Sequence, residues 1–223
     1  MAKTAKTKLI KQLALVLVMG VTLRSAMYKV GWHPLSLDKR LIPALVLWVI
    51  FGLYWGTAGL NSAPTKNSES RVSTYFHQFI LVAAFLLLIF PVPGLTGRFL
   101  PWRSHFLVAA GAIVEAGFLL LAIWARRHLG RNWSAEVRIA VDHQLVRTGP
   151  YRLLRHPIYT AMLGMFMGTA IASSQYHALI GLAILAVAYL RKTRLEEQIL
   201  YQTFGLDYDA YCRDSWALVP LLF

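Results

Sequence analysis

Two stretches of this chain carry side chains able to do chemistry. The first, 126–160, holds seven arginines and three histidines with only two acids, and ends in Arg155-His156-Pro157-Ile158-Tyr159. The second reads RKTRLEEQILYQTFGLDYDAYCRD from Arg191 and brings an adjacent carboxylate pair, Glu196 and Glu197. Each has a plain structural reading when taken alone. The first suits a basic loop facing the cytoplasm with a proline-started helix, and the second suits an amphipathic surface helix with its acids in water. Together they offer more. A site with cations and aromatic faces on one side and a carboxylate on the other can hold a zwitterionic ligand, the acid meeting an ammonium and an arginine or backbone N–H meeting a carboxylate.

The elements around these stretches decide whether they meet. Hydrophobic residues make up 57% of the 223 and charged residues 15%, well below the roughly 25% charged of a soluble domain. Apolar runs lie at 12–23, 41–60, 75–90, 106–125, 158–172 and 176–190. About 20 apolar residues in a helix cross a hydrocarbon core about 30 Å thick. The expected fold is therefore all-α: a polytopic membrane bundle of about six spans. A cytoplasmic cofactor-binding loop and a C-terminal amphipathic helix complete it. Residues 1–125 would form an N-terminal transmembrane part and 126–223 the chemical core. The first run is short and spans only if Lys11 and Arg24 snorkel.

With the N-terminus inside, 17 of the 23 lysines and arginines fall in inside segments, as the positive-inside rule asks. That places 126–156 and the C-terminus on the cytoplasmic side. The net charge of +13 then serves topology and anionic headgroups rather than nucleic acid. The Ser-Ser-Gln link between the last two runs predicts a tight helical hairpin, which returns Glu196 to the face where His156 lies. Thr148-Gly149-Pro150 signals a turn, Pro157 suits a first helical turn, and Gly205 is placed to end the last helix. Glu115, inside the fourth run, reads as a helix-packing residue among Gly111 and Gly117, with a functional role as the alternative. The lone Cys212 gives no disulfide framework.

The patterns LGRNWS (129–134), DHQLVRTGPYRLLRHPIY (142–159), EE (196–197) and FGLDYDAY (204–211) resemble the isoprenylcysteine carboxyl methyltransferase family, grouped with the integral membrane phospholipid methyltransferases. The resemblance covers roughly 129–213. It implies a membrane-embedded enzyme that uses S-adenosylmethionine. Carried over by motif, the cofactor residues are His143, Gln144, Leu145, Val146, Tyr151, Arg155, His156, Pro157, Ile158 and Glu196, with Gln144 and Ile158 contributing chiefly backbone. Tyr159, Tyr151 and Trp133 are aromatic faces for a sulfonium, and Glu197 completes the acidic pair. Glu197 points about 100° from Glu196 on a helix, which suits it to anchoring an arginine of the 126–156 loop. Where the family has a substrate-facing arginine this chain has Lys192, flanked by Arg191 and Arg194, and these three are the candidates for contact with the acceptor.

The expected activity is methyl transfer to a lipophilic acceptor from the bilayer, an isoprenylcysteine-like carboxylate first. A phospholipid amine or hydrophobic thiol is the alternative acceptor, and a non-catalytic membrane binding or transport protein is the alternative class. Membrane lipids are the expected partners, and neither a metal nor nucleic acid is expected.

Overall fold

The computed structural model describes residues 38–58, 65–68, 71–92, 94–100, 105–130, 138–140 and 145–220. The first apolar run, His143, Gln144 and Trp133 lie outside these residues. The helices are α1 (Ile42–Ala58), α2 (Arg71–Ile89), α3 (His105–Leu129), α4 (Pro157–Ser173), α5 (Tyr176–Phe204) and α6 (Leu206–Arg213). A 3-10 turn, Lys39–Leu41, leads into α1, and the Asp38 carboxylate caps it by accepting from the Arg40 N–H at 3.1 Å. Among the described residues, three segments are long and apolar enough to cross a membrane: Lys39–Ala58, Val72–Ile89 and His105–Leu129. Pro157–Ser173 is a shorter apolar helix. Large apolar side chains such as Val49, Leu53, Phe79, Ile113, Leu120 and Val187 point outward, the inverse of a soluble bundle and suited to lipid contact.

Two local features depart from the sequence reading. The segment 126–156, expected as a loop, contributes β2 (Arg138–Ala140), which pairs antiparallel with β1 (Thr65–Ser68) of the polar stretch 61–70. Both follow helices that end on the same side of the bundle. Their otherwise unpaired backbone groups satisfy one another there. Among the described residues the architecture is helical apart from this ribbon. The second departure is that 191–204 forms no separate helix. It continues α5 without a break to Gly205, whose positive φ of 52° ends it.

Packing between the helices rests on small residues. At the α3–α4 crossing a Cβ added to Gly111 would sit 2.4 Å from the Gly168 carbonyl oxygen, so only glycine lets these backbones approach. Glu115 is fully buried beside this crossing and accepts a hydrogen bond from the Thr169 hydroxyl at 2.9 Å, while Trp48 Nε1 donates to Thr169 Oγ1 at 3.0 Å. Glu115 thus ties α3 to α4 and, through Trp48, to α1. Trp48 also packs edge-on against Phe85 and Phe166 in the apolar core. Helices α2 and α5 run antiparallel with a regular register. Arg191 Nη2 donates to Ser73 Oγ at 2.6 Å, His77 meets Tyr189, Gly181 meets Ala84, and His177 Nδ1 lies 2.6 Å from the Leu87 carbonyl. The α4–α5 hairpin turns at Ser174, a left-handed residue with φ 55°. The expected tight hairpin is therefore present, and it carries Glu196 back to the start of α4.

Candidate functional site

Pro157 opens α4 and His156 stands at its N-cap without capping the helix through its side chain. The imidazole is left to face α5. Its Nδ1 lies 3.3 Å from Glu196 Oε2 and its Nε2 lies 3.4 Å from Glu197 Oε1. The Tyr159 hydroxyl donates to Glu196 Oε1. Arg155 Nε donates to Glu197 Oε1 at 2.8 Å, the pairing expected for the second acid. Both clusters named from the sequence therefore share one site.

Aromatic rings line its wall. His156 and Tyr159 stack with centroids 5.5 Å apart and planes 5° apart, and Tyr159 stacks on Tyr189 at 4.6 Å. Lys192, one turn before Glu196, places its Nζ 5.9 Å from the Tyr159 ring centroid. The three candidate acceptor cations separate here. Lys192 faces the aromatic wall, Arg191 turns to Ser73 and the Phe76 ring of α2, and Arg194 is exposed.

A second layer supports the first. The C-terminal segment runs alongside the start of α4. Arg155 N–H donates to the Trp216 carbonyl at 2.8 Å and His156 N–H to the Ala217 carbonyl at 3.0 Å, while Trp216 N–H returns to the Leu153 carbonyl at 3.0 Å. Arg155 Nη1 also donates to the carbonyls of Ser215 and Cys212. Helix α6 holds Tyr151, because the Tyr211 hydroxyl donates to the Tyr151 carbonyl at 2.5 Å. The Thr148-Gly149-Pro150 turn is present. Gly149 has a positive φ of 60°, and a Cβ there would lie 2.7 Å from the His128 ring. His128 Nε2 lies 2.7 Å from Thr148 Oγ1, and its ring lies 6.4 Å from that of Tyr151. Leu145, Val146 and Ile158 are half-buried and Pro157 is buried. The sequence reading did not single out Tyr189, His77, His128 or the carbonyls of 212–217.

Burial works against charge on His156, yet the two carboxylates that face it outweigh that cost and raise its pKa. Burial likewise opposes charge on Glu196, and there the His156 hydrogen bond and charge, with Lys192 and Tyr159, hold the pKa below the ordinary value. His156 and then Arg155 do the same for Glu197. Burial, reinforced by the Glu196 charge, pushes the Tyr151 hydroxyl upward, so it stays protonated. The site is thus a carboxylate pair held by the His156 imidazole and the Arg155 guanidinium, beside stacked rings and one lysine.

Three comparisons bear on what this arrangement is. The family described as Phospholipid methyltransferase matches residues 106–207. Protein-S-isoprenylcysteine O-methyltransferase A of Arabidopsis thaliana is 27% identical over 136 residues, 58% of this chain and 64% of that protein. A probable protein-S-isoprenylcysteine O-methyltransferase of Oryza sativa subsp. japonica is 28% identical over 96 residues, 42% of this chain and 50% of that protein. The chain therefore spans less than two thirds of the length of these curated relatives. The solved structure of the eukaryotic intramembrane Ras methyltransferase ICMT (isoprenylcysteine carboxyl methyltransferase) shares the fold. The TM-score is 0.50 at 21% identity, over 82% of this chain and 70% of that one. The chain is accordingly similar in sequence to these isoprenylcysteine O-methyltransferases, and its residues 106–207 match the phospholipid methyltransferase pattern.

Proposed function

We propose that this chain is an S-adenosylmethionine-dependent methyltransferase that esterifies the carboxylate of an isoprenylcysteine-like acceptor drawn from the bilayer. The observation that carries this reading is the Glu196 carboxylate, held between His156 and Tyr159 and one turn beyond Lys192. The residues present suit the cofactor. Glu196 matches an ammonium, and the buried Nε2 of His156 has only a long approach, 3.4 Å, to Glu197 Oε1. The Tyr159 and Tyr151 faces suit a sulfonium. When bound, S-adenosylmethionine supplies a methyl on a positive sulfur that keeps the bonding pair as the methyl leaves.

The rest of the work falls to the chain. Glu196 and Glu197 orient, with Glu196 as the ligand and Glu197 as the anchor of Arg155. His143, Gln144, Leu145, Val146, Pro157 and Ile158 supply the remaining cofactor contacts. Lys192 pairs with the acceptor carboxylate, with Arg191 and Arg194 at the rim. Alignment and exclusion of water matter most for such a displacement, and a carboxylate acceptor requires no general base. The proposed topology has six spans, with both termini and the site on the cytoplasmic side. Residues 1–125 form the membrane part, 126–223 form the methyltransferase core, and the polar face of 191–204 lies at the membrane surface. The Phospholipid methyltransferase match favours a phospholipid amine as the second reading of the acceptor, although a lysine beside the site repels a cationic amine.

The test is incubation of the purified protein with methyl-labelled S-adenosylmethionine and membranes, followed by mass spectrometry of the extracted lipids and prenylated peptides. A labelled ester lost on mild alkaline hydrolysis is the expected product. A label stable to alkali on phospholipid amines favours the second reading, and no label in any fraction contradicts both.

A further inference from the structure

His77 is a buried histidine on α2 that none of the site motifs contains. Its side chain is 6% exposed and packs edge-on against Tyr189, with centroids 5.8 Å apart. Tyr189 stacks on Tyr159, which stacks on His156. The four rings form one ladder from the start of α4 to α2. Lys192, Arg191 and Glu196 all lie within electrostatic reach of His77.

The register along α5 orders this ladder by depth. Glu196 and Glu197 stand nearest the loops, Lys192 one turn deeper, and Tyr189 seven residues before Glu196, about 10 Å along the axis. His77 is level with Tyr189. The helix that carries it, Val72–Ile89, is long and apolar enough to cross a membrane. A phenylalanine would give Tyr189 the same edge-on contact, so what the imidazole adds at this level is ring nitrogens able to hydrogen-bond. An imidazole at this level therefore fits a polar group arriving from the bilayer side.

We infer that His77 binds the head group of the lipophilic acceptor: its ring N–H and the Lys192 ammonium hold one carboxylate between α2 and α5, on the bilayer side of Tyr159. This rests on the methyltransferase reading above and adds a second acceptor ligand from the N-terminal helices. Layering then separates the two ligands, with the cofactor held at the Glu196 level and the acceptor at the His77 and Lys192 level.

The experiment uses the full-length protein in detergent, with an N-acetylated, S-farnesylated cysteine as the acceptor probe. His77→Phe keeps the ring and its volume, and His77→Gln keeps a donor. Cofactor affinity is measured by calorimetry, and acceptor KM and kcat by label transfer. For His77→Phe, cofactor affinity should stay within twofold of wild type while acceptor KM rises at least tenfold. His77→Gln should recover part of that loss. Unchanged KM in a His77→Phe protein that binds cofactor normally would reduce His77 to ring packing. A tenfold loss of cofactor affinity in both variants would place it in the cofactor site instead and overturn the inference. If wild type binds cofactor but transfers no methyl to the probe, the carboxylate acceptor fails, and with it the role given to His77. If wild type binds no cofactor, the methyltransferase reading itself fails.

Discussion

His156 lies between two carboxylates, and this position makes its charge part of the fold. Its pKa is raised because Glu196 and Glu197 outweigh the cost of burial. A proton held more tightly in the folded state stabilises fully below the ordinary histidine value of 6.5 and ceases to do so as pH rises through the folded value. The two acids act in the opposite sense, since their lowered pKa values give stability that is present above 4.5 and lost as pH falls through the folded values. The ligand-free protein should therefore be most thermostable between about pH 4.5 and 6.5. His156→Gln should flatten the decline on the alkaline side. Thermal unfolding in detergent across pH checks this, and an alkaline decline of wild-type size in His156→Gln would contradict it. A pairing of Glu197 with an arginine of the 126–156 loop was legible in the sequence, because adjacent acids on a helix diverge by about 100°; that the arginine is Arg155, and that His156 meets both acids, was not. His77 and Tyr189 were not legible. Both sit inside apolar runs, where a polar ring reads as packing. The available signal was the seven-residue spacing of Tyr189 and Glu196, which puts them on one helical face.

At the scale of elements, the α4–α5 hairpin does most to assemble the site. Its turn at Ser173-Ser174-Gln175 was readable from sequence as a break between two apolar runs, and so was the stop at Gly205. The straight continuation of α5 to Phe204 was not, because the change from apolar to amphipathic pattern at Leu190 looked like a change of element. The pairing of 215–217 with 153–156 was invisible for another reason: backbone hydrogen bonds leave no side-chain signature. The ribbon between β1 and β2 escaped notice in the same way. The hairpin makes a topological claim. The turn and the 94–100 segment that pairs with it, through Tyr176 N–H to the Gly97 carbonyl and Phe99 N–H to the Ser174 carbonyl, lie at the end of the bundle opposite the site. With Cys212 changed to Ser, single cysteines at the exposed positions Thr96 and Gln202 should be labelled from opposite sides of sealed vesicles, Gln202→Cys from the cytoplasmic side. Labelling of both from one side would contradict the topology.

For the whole molecule, two polar clusters separated by apolar helices converge at one end of the bundle. Helices α1, α2 and α3 present apolar faces outward and bury small residues such as Ala44, Ala84, Gly111 and Ala122 beside larger ones such as Trp48, Leu88 and Leu119. The α4–α5 hairpin carries the candidate site, and α6 with the C-terminal segment braces it through Tyr211 and the 212–217 carbonyls. This arrangement has a consequence for ligand binding. A charge-assisted contact between Glu196 and the cofactor ammonium is worth about 1.5–3 kcal/mol, or roughly ten- to a hundredfold in affinity at about 1.4 kcal/mol per tenfold. Glu197 anchors Arg155 and should matter less to the cofactor. The deciding measurement is titration calorimetry of S-adenosylmethionine into wild type, Glu196→Gln and Glu197→Gln in detergent. Binding in wild type, a loss of about ten- to a hundredfold in Glu196→Gln and a smaller loss in Glu197→Gln is the expected pattern. Equal affinity in all three proteins, or no binding in wild type, would contradict the shared site.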